Sequence, residues 1–364
     1  MRTIDELAIH QFVPALFPRD AVGNHTLETH RALDRAGVNA AIWADLIDRS
    51  LTGCARPYRE FVHRGRRSGR RPVVLYQAAS ESNGMVDFLL QRKEPKLVCY
   101  HNLTPPEYFD SYDSATAAAI RRAQIEVRRF VPHVRAALSA SEFSAADLHE
   151  IGIEEVHVIP PFVGSRLSHH ADRTTAERLR AGKNGIDLLF VGRVVPNKGH
   201  AHLIRIIAAV RAAVDPRARL FIVGAAGPRL YMDAIHDLAD RLAPSGVIFT
   251  GAVSDSQLVA YYENTDVFLS MSEHEGFGVP LVEAMRTGMP IVAYDTSAIA
   301  ETLSGTGVLV RTPDPMFVAE IIAKVSDDPD LRSDLGRRER ERALQLESFP
   351  RVNRILDVAA RVAI

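Results

Sequence analysis

The residues with the clearest capacity for chemistry are Glu275 and Glu283, which enclose the run Gly276-Phe277-Gly278-Val279-Pro280. Gly276 and Gly278 allow a backbone to approach a ligand closely and expose N–H groups at a helix N-terminus, a natural anion site. Pro280 suits the first turn of that helix, where its missing N–H is no loss. Glu275 then sits in the loop and Glu283 about one turn into the helix, so both carboxylates line one wall. A second group is Arg193 and Lys198, within the segment Gly192–Gly199 between an apolar run and a helix starting near His200. Arginine supplies a planar fork and lysine a point charge, both suited to phosphate oxygens. The order Lys198-Gly199 is not that of a P-loop, and Gly224-Ala225-Ala226-Gly227 is not a dinucleotide fingerprint.

Short β-branched runs alternate with helical stretches throughout, as in parallel α/β domains. Strands are expected at Ile9–Val13, Val38–Trp43, Val73–Gln77, Leu97–Tyr100, Ala136–Ser139 and Val156–Ile159. A second set is expected at Asp187–Val191, Leu220–Val223, Val247–Thr250, Val267–Ser270, Ile291–Tyr294 and Val308–Val310. Asn24 is expected to cap the first helix and Gly37 to stop it. Pro160-Pro161 and the polar stretch from Gly164 to about Gly185 mark an interdomain connection. The division expected is an N-terminal Rossmann-like domain over 1–165, a C-terminal one over 166–345, and an amphipathic helix in 346–364 returning to the N-terminal domain. Two such domains facing each other create a cleft at the carboxyl ends of their strands.

With these motifs in view, the chain resembles the retaining glycosyltransferases of family 4, of GT-B fold. The resemblance rests on Glu275-x7-Glu283 with its enclosed glycines, on Phe190–His200, Phe221–Gly224, Ser139–Phe143, Thr287–Ala293 and Ala300–Thr302. It implies a nucleotide-sugar donor, such as a GDP- or UDP-sugar, with no cofactor. Arg193 and Lys198 would stabilise the departing diphosphate, and Glu283 would bind the ribose hydroxyls. Glu275 would contact the transferred sugar, near the backbone of Phe277, Gly278 and Val279. The loop Gly251–Ser254 would meet the base. Gly23 and Asn24, at the start of the first helix, would lie beside the diphosphate, although relatives often have two glycines there. His101, just past the strand Leu97–Tyr100, would lie near the sugar.

The resemblance also implies retention by front-face substitution, in which orientation and electrostatics matter more than a strong base. No metal is expected. Asp328-Pro329-Asp330 reads as a helix cap, and His169-His170 and His200-x-His202 lack a further ligand at useful spacing. The acceptor expected is an envelope or exported polysaccharide or glycolipid. Alternatives are a small-molecule or natural-product acceptor, or a GT-B nucleotide-sugar epimerase or binder.

Composition sets the outer bounds. The 364 residues are enough for two domains, and 44 Lys+Arg against 45 Asp+Glu leave a net charge of −1. That balance lacks the basic excess of a general nucleic-acid binder. With 46% hydrophobic and 24% charged residues the chain is an ordinary globular one. Only Cys54 and Cys99 occur, so no disulfide framework and a reducing, cytoplasmic setting are expected. Arg56–Arg71 holds seven arginines interleaved with Tyr58 and Phe61, the pattern of a peripheral contact with an anionic membrane at the inner face of the cell membrane, or equally of a solvated loop.

Overall fold

The computed structural model describes residues 6–18, 20–62, 71–163 and 166–363, which form two compact units. The first comprises residues up to Pro106, Ala115–Phe162 and the stretch from Phe349 onward. Its strands are β1 (Leu7–Leu16), β2 (Asn39–Ile47), β3 (Arg56–Pro57), β4 (Arg71–Ala78), β5 (Lys96–Tyr100), β6 (Ala136–Ser139) and β7 (Val156–Val158). They form one parallel sheet in the order β3-β2-β1-β4-β5-β6-β7. Its helices up to β7 are α1 (Ala21–Arg35), α2 (Met85–Leu90), α3 (Ser114–Phe130) and α4 (Glu142–Glu150).

β1 is apolar on both faces because the sheet is covered on both, and period-two alternation divides its residues between two cores. Phe12, paired in register with Trp43 and Tyr76, faces one core with Phe61 and Phe130. Ile9 faces the other with Leu33, Val73 and Leu75.

The second unit is Glu107–Ser114 with Val163–Ser348. Its strands are β8 (Asp187–Val191), β9 (Arg219–Val223), β10 (Val247–Gly251), β11 (Val267–Ser270), β12 (Ile291–Tyr294) and β13 (Val308–Val310), in the order β10-β9-β8-β11-β12-β13. Its helices are α5 (Arg173–Ala181), α6 (His200–Ala213), α7 (Arg229–Leu242), α8 (Asp255–Asn264), α9 (Val279–Thr287), α10 (Ile299–Leu303), α11 (Pro315–Asp327) and α12 (Pro329–Glu347). Asp328 caps α12 by accepting from the Leu331 N–H at 2.9 Å, the structural use expected of it. Glu339 of α12 is fully buried, and its Oε1 accepts from the Ile291 N–H at 3.0 Å.

The last helix, α13 (Arg351–Val362), belongs to the first unit. Ile355, Leu356, Val358 and Val362 complete the core around Ile9 and Leu75, each worth ~1.5–3 kcal/mol when fully buried. The buried Arg351 guanidinium donates to the carbonyls of Pro160 and Pro161 at 2.8 and 3.0 Å.

Two sequence expectations need correction. Asn24 does not cap α1. Asp20 does, because its extended backbone lets its carboxylate accept from the Gly23 N–H at 3.0 Å, and Asn24 lies inside the first turn. Tyr58 and Phe61 are both 3% exposed and cannot press against a membrane, since aromatic packing against Phe88, His10, Phe12 and Trp43 draws them into the core. Residues 63–70 of the basic segment lie outside the described residues. On α3, Arg122 pairs with Glu81 and Arg129 with Asp87. Among the described residues no helix is long and apolar enough to cross a membrane.

Candidate functional site

Each sheet reverses its strand order once, and such a reversal opens a crevice at the carboxyl ends of the flanking strands. In the second unit the reversal lies at β8, between β9 and β11. The loop after β8 carries Arg193 and Lys198, and the loop after β11 carries Glu275. The two motifs picked out by residue type therefore flank one topological switch point.

Their loops are fastened together. The Asn197 carbonyl accepts from the Glu273 N–H at 2.8 Å, and its side chain donates to the His274 carbonyl at 3.1 Å. Gly199, at φ +66°, ends the β8 loop, and a Cβ there would overlap the carbonyl oxygen of Met271. Only glycine permits both the left-handed turn and that approach. Lys198 Nζ donates to Glu275 Oε1 at 2.6 Å, with the side chains 21% and 15% exposed. The Glu275 backbone is pinned by its N–H to Ser297 Oγ at 2.9 Å. Arg193 is exposed and makes no ion pair among the described residues.

Gly278 is the N-cap residue of α9 and offers no side chain to its first turn, which leaves N–H groups there for an anion. Phe277 is buried and its carbonyl accepts from Thr302 Oγ1 at 2.6 Å, while Gly276 and Val279 are half-buried beside it. Glu283 is only 1% exposed, and its Oε2 accepts from Tyr262 OH at 2.9 Å. A helix glutamate turned to solvent is thereby excluded. Gly251, at φ +70°, ends β10, and Ser254 forms a capping box with Gln257 at the start of α8.

Three further polar groups of this unit were not legible in the sequence. Burial first, then Glu273, raises the Tyr108 phenol above its usual range, although Tyr108 lies far from Glu273 along the chain. Burial lowers the His274 imidazole below its usual range, with Glu275 and Lys198 acting in opposite directions. His200, fully buried against Phe190 and Tyr231, is held neutral, its pKa brought to about 3 by burial and then Lys198.

The first unit's reversal lies at β1, between β2 and β4. Gly23 stands there in α1, and a Cβ on it would overlap the Phe17 carbonyl oxygen. His101 follows β5, with its ring 5.2 Å from that of His25 on α1. Here the structure adds what sequence did not show, a buried chain of amides. Gln11 Nε2 donates to the Thr26 carbonyl at 3.1 Å, and Gln77 Nε2 donates to Gln11 Oε1 at 2.8 Å. Gln77 Oε1 then stands 2.7 Å from His101 Nε2. The Thr26 carbonyl can only accept, so each amide must point the same way and His101 must donate through Nε2. Its Nδ1 keeps the lone pair. Burial, then His25, holds the His101 pKa well below the usual range. Burial, then Arg351, lowers His25 to about 4, and burial pushes the Cys99 thiol up to about 12.

A cavity of about 620 Å³ in this unit is lined by His10, Trp43, Cys54 and Phe61. It lies along the amino-terminal halves of β1 and β2, away from the carboxyl ends that carry the motifs, and has no part in this site.

Comparison with known proteins bears on the family and the fold. Residues 172–342 match the family model described as Glycosyl transferases group 1. The MMP α-(1→4)-mannosyltransferase of Mycolicibacterium hassiacum is 29% identical over 237 residues, 63% of this chain and 54% of that protein. The D-inositol 3-phosphate glycosyltransferase of Kineococcus radiotolerans is 32% identical over 215 residues, 54% of this chain and 49% of that one. The chain thus spans about half the length of the curated relatives it matches. Among solved structures, Anabaena HepE in complex with UDP and glucose superposes with a TM-score of 0.74 at 17% identity, covering 97% of this chain and 99% of that one. The two parallel sheets are those of the GT-B glycosyltransferase fold.

Proposed function

We propose that this chain is a retaining, metal-independent glycosyltransferase that moves a hexose-type sugar from a nucleotide-sugar donor to an acceptor hydroxyl. The observation that carries the reading is the placement of Arg193, Lys198 and Glu275 on two loops at one switch point, inside the segment matched by Glycosyl transferases group 1. The leaving diphosphate would take Lys198 from Glu275 and would meet Arg193 and the N–H groups at the start of α9. Fixed positive groups stabilise the charge that develops as the donor bond breaks, without a metal. Glu283, buried with Tyr262, would receive the ribose hydroxyls, and Glu275 the sugar. For the first unit, the family resemblance assigns the diphosphate to Gly23 and Asn24 and the sugar to His101.

A UDP-sugar donor is supported by the UDP complex of HepE, and a GDP-sugar is the alternative. The acceptor is read as an envelope or exported polysaccharide or glycolipid. The D-inositol 3-phosphate glycosyltransferase favours, as a second reading, a small-molecule acceptor.

Thermal-shift measurements with nucleotides and nucleotide sugars test the donor assignment. A ligand at 100 times its Kd adds about 2.7 kcal/mol to the native state. The preferred donor should raise Tm, and it should be hydrolysed or transferred equally well after chelator treatment. A chain that no nucleotide sugar stabilises or that turns none over refutes the proposal, and loss of turnover on chelation refutes its metal independence.

A further inference from the structure

Apart from the charged loops, one group of side chains has a chemistry of its own. Cys99 and His101 are two residues apart at the end of β5, and α1 brings His25 over the same face. One ligand atom from each of the three lies within 4.8 Å of the others. Cys99 Sγ and His25 Nε2 are 3.8 Å apart. In a tetrahedral zinc site with Zn–S about 2.3 Å and Zn–N about 2.0–2.1 Å, sulfur and nitrogen stand about 3.6 Å apart. The contact is therefore already near bonding separation.

We propose that His25, Cys99 and His101 form a binding site for a thiophilic divalent cation, Zn²⁺ foremost. Two imidazoles and a thiolate are a donor set zinc prefers, and three protein ligands leave a fourth position for water. The surroundings are those of a prepared site. Gln77 holds His101 by Nε2, so the lone pair left for a metal is on Nδ1, and Gln11 and the Thr26 carbonyl fix Gln77 in turn. Outer partners of this kind orient metal-bound histidines. His25 Nδ1 is buried without a hydrogen-bond partner, so Thr29 and Cys99, both beside Nε2, are the groups that orient the ring. On binding, the Cys99 S–H bond breaks, its proton passes to solvent, and the thiolate pair forms the metal bond. If His101 serves the sugar as proposed above, an occupied site withdraws that ring, and Zn²⁺ is a reversible inhibitor.

Cadmium titration of the full chain reads this directly, because a cadmium–thiolate bond adds ultraviolet charge-transfer absorption. One saturating equivalent is expected, removable by chelator and unchanged in Cys54→Ser, which removes the exposed second cysteine. Cys99→Ser should abolish the band, with Cys99→Ala as the second variant if serine disturbs the fold, and His25→Ala should weaken binding at least tenfold. The absence of a band in the wild type, or a band that follows Cys54, overturns the site whatever the transferase activity proves to be. Zinc should also lower turnover in the wild type and not in Cys99→Ser. Binding without inhibition overturns the inhibitory role and leaves the site.

Discussion

Replacing Glu275 by glutamine separates two effects that a simple loss of function would merge. In the wild type, Lys198 donates to Glu275 at 2.6 Å in a setting where both side chains are largely shielded. A hydrogen bond between charged groups contributes ~1.5–3 kcal/mol and a neutral one ~0.5–1.5 kcal/mol. Glutamine keeps the shape and weakens the bond, so ~1–2 kcal/mol of attachment is no longer lost when a diphosphate recruits Lys198. At 1.4 kcal/mol per factor of ten, a nucleoside diphosphate should bind roughly 5–30 times more tightly. The carboxylate's repulsion of phosphate also disappears, in the same direction. Turnover should fall at the same time, by up to ~100-fold, because the sugar loses an orienting partner. A Glu275 that met only the sugar would leave nucleotide affinity unchanged in this variant; the ion pair to Lys198 is what changes that. Calorimetric titration with UDP and GDP, beside initial rates, gives both readings. A folded Glu275→Gln that binds both nucleotides no better than wild type refutes the idea that Lys198 is shared between Glu275 and phosphate.

Other expectations concern separate parts of the second unit. Arg193→Ala should cut turnover roughly 10²–10³-fold. Its Tm should be near native because the side chain is exposed, and near-native rates would remove it from the site. Gly199→Ala should destabilise by ~3 kcal/mol or more in a urea melt, since the new methyl meets both an unfavourable φ and the Met271 carbonyl. Burial raises the Glu339 pKa to about 8, above its unfolded value near 4.5. The stability it contributes is full below pH 4.5 and is lost as pH climbs to 8. Glu339→Gln should therefore flatten the fall of Tm across that window and melt roughly 2–6 °C higher at pH 8.5, and an unchanged pH profile would exclude an ionising Glu339.

Most strands were legible because they are apolar runs covered on both faces. The missed strand, Arg56–Pro57, is two residues long and contains a proline, so it has no pattern to read. The cap of α1 was misplaced by four residues, since Asp20 and Asn24 are both plausible capping types and only backbone conformation separates them. The loops with Arg193, Lys198 and Glu275 were visible because each charged residue stands beside glycines that mark a turn. The Lys198–Glu275 contact was not visible, being made across 77 residues. Nor was the grouping of His25 with Cys99 and His101, which depends on how α1 lies over β5. Gln11 and Gln77 did carry a signal: each is an amide inside an otherwise apolar strand, and such a residue needs a partner on a neighbouring strand.

The return of α13 to the first unit has a consequence for the order of folding during synthesis. The second unit is continuous apart from Glu107–Ser114, and all of it has left the ribosome once Ser348 has. The first unit emerges earlier but must wait nearly two hundred residues for Ile355, Leu356 and Val362 to close the core around Ile9 and Leu75. Through that interval an apolar face of its sheet is uncovered, a state in which nascent chains are prone to associate. Domain-by-domain expression would hold the first unit in that state permanently. A chain cut after Phe162 lacks both the covering helix and the Arg351 clasp on Pro160 and Pro161, whereas a circular permutant that places residues 349–362 directly ahead of β1 would present that core for immediate closure.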